Sequence, residues 1–268
     1  MFIDSEDIKR VIPEVIKIRR HIHMYPEISE HEYETSKYIK KCLEEIGLEA
    51  NFIGDTGVVS MLMNNPEFQT VGLRAEMDAL PIEEETNLEF KSKNKGVMHA
   101  CSHDGIVATA LGVTKLLYEH KDELKCNVKF IFEPAEEVGR GAKKLIKEKV
   151  LENPTVDKMV IFHYANSAPI GMEIQKGVST ATLGRVSIEI IGKSSHWGEP
   201  EKGINAISVA AKVIDAIDKI NEDLKEKIQF VLGMGIINGG VKNNIMAENV
   251  KLEGTIRTFC EENLEYVL

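Results

Sequence analysis

The chain has 268 residues, of which 43% are hydrophobic and 28% are charged, values that are ordinary for a folded protein with one large or two smaller domains. Its formal net charge of −10 disfavours a nucleic-acid or anionic-membrane partner. No apolar run approaches the length of a membrane span, and no signal-peptide pattern opens the sequence. The four cysteines are scattered and suggest no disulfide framework, so we expect a reducing, cytoplasmic location.

The N-terminal region predicts two helices. Residues 5–24 place isoleucines and valines near one stripe, and Pro13 indicates that the main helix begins there. After a break at MYPE, Ser29 and Glu32 have the spacing of a capping box, and Gly47 is expected to close the second helix. The region also holds three histidines for which we expect surface or interhelical roles: His21, His23 and His31.

Apolar segments with strand character alternate with helical patterns through the first part of the chain. The strand-like segments are 57–63, 70–75, 128–132 and 159–162. Another helix follows the motif HACSHDG, where Asp104 can act as its cap. This alternation implies a largely parallel sheet that helices cover on both faces.

Side chains that bind metals or move protons follow strand-like segments at four places. They are Asp78, Cys101 with His103, Glu136 with Glu137, and His163. In sheets of this kind, ligand sites lie outside the carboxyl ends of the strands, so we expect the four groups to converge. Each group alone is more often structural, as a buried thiol, a satisfied imidazole or a helix cap. Their matching placement favours a metal site.

The dipeptide Glu136-Glu137 follows an apolar strand that stops at Glu133-Pro134. Adjacent residues in a loop at a strand end point in different directions. One carboxylate can therefore hold a metal while its neighbour faces a substrate or a water, as metal-assisted hydrolysis requires. For such a pair taken alone, a solvated acidic turn is the plainer interpretation.

From Leu183 onward the pattern changes to that of a small α+β unit. Residues 185–191 predict a strand, 204–224 an amphipathic helix, and 228–237 and 249–259 two more strands. This order suggests an open-faced sandwich appended to the first domain. A sandwich of this type needs another helix and strand to complete its layer, so the sequence is expected to stop within the second domain.

These motifs resemble the co-catalytic metallopeptidase family of aminoacylases, hippurate hydrolases and plant auxin-conjugate amidohydrolases. The matching stretches lie in the family's order along nearly the whole chain: LRAEMDALPIEEET, GVMHACSHDG, FEPAEEVGRGA, the strand end at His163, GKSSHWGEPEKGINA, INGGVKNNIMAENV and EGTIRTF.

The resemblance implies a three-layer αβα catalytic domain with a mostly parallel sheet, and a smaller ferredoxin-like lid and dimerisation domain. It places the catalytic domain at residues 1–183 and the lid at 184–268. The family's returning C-terminal catalytic segment, which carries its last metal ligand, a His, has no counterpart. We therefore expect a chain that is C-terminally truncated relative to the family.

The implied activity is hydrolysis of the amide between an acyl group and an amino acid with a free carboxylate, with Glu136 as general base. Cys101 resembles the ligand that bridges two divalent ions, His103 and His163 resemble ligands of one ion, and Glu137 resembles a ligand of the other. Asp78 resembles the acid that orients an active-site ligand. Thiolate and imidazole ligands suit Mn or Zn best, with Co or Ni as alternatives.

In the second domain, the resemblance concerns substrate binding and a homodimer formed through the lid. His196 resembles the residue that reaches a neighbouring subunit's active site. Asn244 and Arg257 resemble the groups that bind the substrate carboxylate, which an arginine can grip with two parallel hydrogen bonds. The single tryptophan, Trp197, is expected to be a packing residue.

The sequence departs from the family's usual pattern at three positions near these motifs. Family members usually have Gly at Ser102 and His at Ile106, and often Asp at Glu76. None of these changes removes a mapped ligand, but they can shift metal or substrate preference. Of the remaining histidines, His99 is expected to buttress the Cys101 loop, and His120 lies near a helix C-terminus where a cation is favourable.

Two alternatives remain open from the sequence. The first is an inactive remnant that acts at most as a metal-binding or dimerising module. The second is a carboxypeptidase or dipeptidase that uses the same chemistry. The sequence does not name the acyl group or the amino acid.

Overall fold

A computed structural model describes residues 3–165, 170–174, 176–178 and 180–267, with Glu261 described by its backbone alone. The chain divides into two compact units, Met1–Pro169 and Ile170–Leu268. The boundary predicted between residues 183 and 184 falls inside a strand of the second unit. Within the described ranges, no helix has both the length and the apolar character needed to cross a membrane.

The first unit is a mixed α/β structure. Its elements in chain order are α1 (Ser5–Met24), α2 (Tyr33–Ile46), β1 (Ala50–Ile53), β2 (Gly57–Leu62), β3 (Thr70–Glu76), α3 (His103–Glu119), β4 (Asn127–Glu133), α4 (Gly141–Lys147) and β5 (Lys158–Ile161). The strands form one sheet in the order β1-β2-β4-β3-β5.

The prediction of a mostly parallel sheet is wrong. Strand β3 is parallel to β4 and β5, but β2 is antiparallel to both β1 and β4. The short turn at Gly54, Asp55 and Thr56 accounts for the pairing of β1 with β2, because a connection of this length can only join antiparallel neighbours. The short strand β1 was not predicted from the sequence.

Helices lie on both faces of this sheet, but unequally. Helices α1, α2 and α3 cover one face, where the core includes Ile39, Leu43, Ile106, Phe130 and Phe132. On the other face α4 contributes Leu145, which packs with Ile131 and Val150. Every residue of the edge strand β5 is exposed.

Three predicted helix signals have different outcomes. Helix α1 does not begin at Pro13, because Asp4 already forms a capping box with Asp7 and the proline lies inside the helix. The predicted capping box of Ser29 and Glu32 is also wrong. The side chain of Glu32 makes no cap bond, although it occupies the N-cap position of α2. The prediction for Gly47 is confirmed, since it closes α2 with a φ of +105°.

The second unit is an antiparallel sheet with a helix on one face. It contains β6 (Thr182–Ile191), α5 (Ala206–Leu224), β7 (Phe230–Gly239), β8 (Asn249–Thr258) and α6 (Glu261–Val267), in the sheet order β6-β8-β7. Helix α5 packs Ala206 and Ala210 against Ile190, Val250 and Leu252. The predicted element order is confirmed up to β8, whereas a role as lid or dimerisation domain stays a prediction.

Candidate metal centre

Three parallel strands of the first unit end at the same edge of the sheet. Glu76 at the end of β3 pairs with Glu133 at the end of β4, and Arg74 pairs with Ile161 at the end of β5. The next peptide after β3 is tied to β4, because Met77 N donates to Glu133 O at 3.0 Å. The segments that follow these strands therefore leave the sheet side by side, and they carry Asp78, Glu136, Glu137 and His163.

One group of potential ligands consists of Cys101, His103 and His163, whose ligand atoms lie within 4.8 Å of one another. Cys101 Sγ is 3.5 Å from His163 Nε2. The two imidazole rings stand almost perpendicular, at 85°, with centroids 5.8 Å apart. The three residues converge as expected, but strand-end placement accounts only for His163. Cys101 and His103 lie at the start of α3, and no strand of the described chain stands between β3 and that helix.

The hydrogen bonds of both histidines fix which nitrogen faces the group. His163 Nδ1 donates to Tyr164 O at 2.8 Å, and His103 Nδ1 donates to Asp78 O at 2.8 Å. Because a carbonyl only accepts, each Nδ1 carries the proton and each neutral ring keeps a lone pair on Nε2. Both Nε2 atoms are thus prepared as ligands.

A second group consists of His103, Glu136 and Glu137. His103 Nε2 is 4.0 Å from Glu136 Oε2 and 3.9 Å from Glu137 Oε1. Since His103 belongs to both groups, the two sets of ligands adjoin each other around its ring. Glu136 is the more exposed of the two carboxylates, at 38% of its side chain against 18% for Glu137.

Two unpartnered polar atoms of this region fit a cation. His103 Nε2 and Glu137 Oε1 are buried and have no hydrogen-bond partner among the described residues. Leaving such an atom unsatisfied costs about 1–3 kcal/mol, and more for a charged group. A divalent ion accepts electron pairs from the imidazole and the carboxylate together, and the mixed sulfur, nitrogen and oxygen donor set suits a transition metal better than Mg or Ca.

Asp78 organises the centre without belonging to either ligand group. Its Oδ2 accepts hydrogen bonds from Ser29 Oγ at 2.7 Å and from Glu137 N at 3.1 Å, and its Oδ1 lies 3.3 Å from His103 Nδ1. Burial opposes ionisation of Asp78, but these bonds outweigh it and hold the pKa of the carboxyl below its usual value. Burial likewise opposes the charge on His103, yet the hydrogen bond and charge of Asp78 raise the pKa of that imidazole.

The loop that carries Glu136 and Glu137 has an unusual backbone. Ala135 has a φ of +53°, and its carbonyl accepts from Arg140 N at 3.1 Å and Gly141 N at 3.2 Å. A Cβ at Gly141 would lie 1.7 Å from Pro134 O, so this position of the motif requires glycine. The tight loop explains why the motif FEPAEEVGRGA holds a glycine at its last turn.

Burial and neighbouring charges raise the pKa values of two groups in the centre, Glu136 and Cys101. Burial, together with the neighbouring charges of Glu137 and Glu76, raises the pKa of Glu136, even though His103 acts against the shift. Burial and the charge of Glu137 raise the pKa of the Cys101 thiol to about 12. A cation bound beside Cys101 would stabilise its thiolate and act against this shift.

Several contributors to this region were missed from the sequence or given another role. Ser29 and Glu32 were expected to cap a helix, but Ser29 bonds Asp78 and Glu32 bonds Ala135 N. Asp104 was expected to cap α3, and instead its carboxylate accepts from the buried His23 at 2.9 Å. Residue spacing gives no signal for these contacts, which join residues 49 to 103 positions apart.

The remaining histidine expectations are only partly met. His23 of α1 is buried between Glu84 and Asp104 of α3, so its expected interhelical role is confirmed. His99 is buried as a buttress would be, but neither of its ring nitrogens has a hydrogen-bond partner. Its burial lowers the pKa of the imidazole to about 4.

The predicted substrate-binding residues lie in the second unit. His196 forms an isolated bridge with Ile245, and Trp197 N donates to Asn244 O at 3.3 Å, so His196 and Asn244 are neighbours. Arg257 lies near the other end of β8, where it pairs with Leu183. The eight steps between the nine residues from Asn249 to Arg257 span roughly 26 Å of strand, so Arg257 and Asn244 stand at opposite ends of this sheet.

Comparison with known proteins identifies the family. The model of "Peptidase family M20/M25/M40" matches residues 72–257. The chain is 39% identical over 252 residues to N-acetyl-L-cysteine deacetylase of Bacillus subtilis (strain 168), an alignment that covers 93% of this chain and 60% of that protein. It is 40% identical over 263 residues to thermostable carboxypeptidase 1 of Saccharolobus solfataricus, covering 96% of this chain and 66% of that one.

A solved structure agrees with this assignment. The Bacillus subtilis YXEP protein, a dinuclear metal binding peptidase from the M20 family, matches with a TM-score of 0.78 and 33% identity over 98% of this chain and 68% of that chain. The chain therefore belongs to peptidase family M20/M25/M40, and the resemblance read from its motifs is confirmed. It spans 60% and 66% of the lengths of the two relatives named above.

Proposed function

We propose that this protein is a metal-dependent amidohydrolase that cleaves the amide bond of N-acyl amino acids. The observation that carries the proposal is the placement of Glu136 and Glu137 at 4.0 and 3.9 Å from the free Nε2 of His103. The name of the Bacillus subtilis relative, N-acetyl-L-cysteine deacetylase, supports an N-acyl amino acid as substrate.

The ligand groups support a centre for two divalent ions, Mn or Zn in the first instance and Co or Ni otherwise. Cys101, His103 and His163 would hold one ion, and Glu137 the other, with Cys101 between them. The dinuclear character of the YXEP protein agrees with this arrangement. When bound, the ions would polarise the amide carbonyl. They would also lower the pKa of the attacking water, so that it can lose a proton at neutral pH.

Glu136 is proposed as the general base. Its carboxylate lies beside the ligand groups yet is more exposed than that of Glu137, so it can face a bound substrate. Glu136 takes a proton from the attacking water as the new carbon–oxygen bond forms. It then gives that proton to the amine nitrogen as the carbon–nitrogen bond breaks, which balances the reaction.

The second unit is proposed as the lid and dimerisation domain, with residues 1–183 as the catalytic domain and 184–268 as the lid. Arg257 and Asn244 would bind the substrate carboxylate, and His196 would meet the negative charge that develops on the carbonyl oxygen. The separation of Arg257 from His196 and Asn244 along β8 supports a site that two copies share in a homodimer, each copy contributing one end of its sheet.

The test is hydrolysis of a panel of N-acetyl and N-benzoyl amino acids by the metal-loaded protein, with product amine measured. We expect turnover that disappears after chelation and returns with Mn²⁺ or Zn²⁺. The same panel should include N-blocked dipeptides, because the 40% identity to a carboxypeptidase favours peptide cleavage as the second candidate. Hydrolysis of the dipeptides alone would replace the first proposal by the second, and no hydrolysis of either class would reject both.

A further inference from the structure

Glu32 is a fully buried carboxylate with an unexpected set of partners. It is 0% exposed and forms no ion pair within the described residues. Removing an ionisable group from water without a countercharge is costly, so its hydrogen bonds must compensate. Those bonds come from Ala135 N at 2.8 Å and Glu30 N at 3.1 Å to Oε1, and from Thr56 Oγ1 at 2.7 Å to Oε2.

The position of Glu32 makes this choice of partners informative. It is the N-cap residue of α2, where a carboxylate ordinarily accepts the first free amides of its own helix. Here Glu27 performs that task, since its two oxygens accept Glu34 N at 3.2 Å and Thr35 N at 2.7 Å. Helix α2 is therefore capped without Glu32, whose side chain is free to bind elsewhere.

The partner it binds directly precedes the proposed base. Ala135 adopts a φ of +53°, a conformation that costs a non-glycine residue about 1–2 kcal/mol and persists only when its surroundings enforce it. Glu32 holds the amide of this residue, while the amides of Arg140 and Gly141 hold its carbonyl. The Ala135 peptide is thus fixed from both sides, and Glu136 begins at that fixed point.

A second contact joins the same segment to the other side of the centre. Ser29 Oγ donates to Asp78 Oδ2, the oxygen that also accepts Glu137 N. Residues 27–32 thus reach Asp78 through Ser29 and the Glu136-Glu137 loop through Glu32. One short segment outside the ligand groups contacts both strand-end loops that carry the centre.

We propose that Glu32 is a positioning residue of the metal centre, whose carboxylate fixes the Ala135 peptide and thereby sets the directions of Glu136 and Glu137. The inference concerns the same centre as the proposed function and rests on it for its catalytic consequence. Its consequence for metal affinity does not depend on which substrate the protein hydrolyses. Residues that orient a metal ligand in this way typically change metal affinity or activity by roughly 10–100-fold when they are lost.

The test compares three variants of the full chain. Glu32→Met keeps the side-chain length but accepts no hydrogen bond. Glu32→Gln keeps an oxygen for Ala135 N and an amide that can donate to Thr56 Oγ1. Glu27→Ala is the matched control, because it removes the cap of α2 from the same segment and costs roughly 1 kcal/mol of stability, without touching the Ala135 peptide.

Zn²⁺ affinity is measured by competition with a chromogenic chelator, and hydrogen exchange is followed in peptides that cover residues 133–141. For Glu32→Met we expect Zn²⁺ affinity to fall by roughly 10–100-fold and exchange in this segment to rise. Glu32→Gln should remain close to wild type, and Glu27→Ala should lose thermal stability while it keeps its affinity. In hydrolysis assays Glu32→Met should lower kcat with little change in KM, because the base is displaced and the substrate contacts are not.

Unchanged affinity and exchange in a folded Glu32→Met protein would overturn the proposal and leave Glu32 a purely structural residue. The same conclusion would follow if Glu27→Ala lowered affinity as much. Should Glu32→Met not fold, Thr56→Val removes only the donor to Oε2, and the same test applies with a smaller expected loss. If wild type hydrolyses no N-acyl amino acid, the proposed function fails, while the Zn²⁺ affinities still decide the role of Glu32.

Discussion

His103 donates its Nδ1 proton to the backbone carbonyl of Asp78, and its free Nε2 faces Glu136 and Glu137. The backbone acceptor fixes the tautomer whatever the charge of the Asp78 side chain, and Asp78 Oδ1 stands 3.3 Å away as additional support. Because only one nitrogen of the ring is free, His103 can bind a single ion, the one proposed to be held also by Cys101 and His163. Glu136 and Glu137 lie beside that nitrogen, so loss of the ring should disturb the ion proposed for Glu137 as well.

The first prediction follows from this arrangement. His103→Ala and His163→Ala should each remove the ion that they are proposed to hold with Cys101, and the ion proposed for Glu137 should be bound less tightly in His103→Ala than in His163→Ala. His120→Ala is the matched control, since this histidine pairs with Asp7 and Glu123 away from the centre. Elemental analysis after metal loading and gel filtration measures the content. Equal metal content in His103→Ala and wild type would contradict the assignment of the centre.

The second prediction separates the adjacent carboxylates. Glu136→Gln should retain both ions and lower kcat by at least roughly a hundredfold, the lower end for loss of a general base. Glu137→Gln should instead reduce metal content, and added Mn²⁺ or Zn²⁺ should recover part of its activity. The two variants are matched in size and charge and serve as controls for each other. A wild-type rate from Glu136→Gln would show that another group takes the proton.

Lys129 gives a prediction about stability in the sheet itself. It lies on the central strand β4 and is 4% exposed, and its Nζ donates to three carbonyls, Val150 O, Glu152 O and Pro154 O, at 2.8–3.1 Å. Burial lowers the pKa of this ammonium, but the carbonyls satisfy its donors. Lys129→Met leaves the carbonyls without that partner and should cost about 2–4 kcal/mol.

Urea denaturation followed by far-UV circular dichroism measures this loss. The only tryptophan, Trp197, lies in the second unit, so its fluorescence is a poor probe of β4. Lys125→Met, an exposed lysine just before the same strand, is the control and should change stability by less than about 0.5 kcal/mol. Equal stability of the two variants would mean that the carbonyls find other donors.

The sequence predicts the centre well in the half of the sheet whose strands are parallel. Strands β3, β4 and β5 run in one direction, so residues that follow them in the sequence must meet at one edge, as Asp78, Glu136 and His163 do. The antiparallel half of the sheet was not predicted, because β1 is only four residues long and its burial pattern shows no clear alternation. A strand of that length cannot be separated from a loop by periodicity.

The supporting contacts of the centre could not be read from spacing. Ser29 and Glu32 fit a capping box as well as any such pair, and a carboxylate at an N-cap has several donors within reach. Which donor it meets depends on tertiary structure, here on Ala135, which is 103 residues away. Pro13 misled for a related reason, because the earlier cap at Asp4 decides where α1 begins.

The last prediction concerns substrate recognition by the second unit. Arg257→Ala should raise KM for substrates with a free carboxylate far more than for their amides, since a bidentate charge-assisted contact is lost. Arg185→Ala is the matched control, because Arg185 on β6 pairs with Thr255, two residues along β8 from Arg257, and so lies on the same face of the sheet. Equal effects of the two variants on KM would indicate a general electrostatic contribution instead of a specific bidentate contact between Arg257 and the substrate carboxylate.

The separation of Arg257 from His196 gives this prediction a second part. If the two ends of β8 serve different active sites, a subunit that lacks His196 still offers its own Glu136 to a partner's intact histidine. Mixing His196→Ala with Glu136→Gln subunits should therefore restore part of the activity that each variant lacks alone. In mixed dimers verified by mass spectrometry, one of the two sites combines both intact residues, so purified mixed dimers should recover about half of wild-type activity and a 1:1 mixture that pairs at random about a quarter. Absence of any recovery in such dimers would show that each active site is complete within one copy. The separation of Arg257 from His196 along β8 would then have to be explained by a different placement of the substrate.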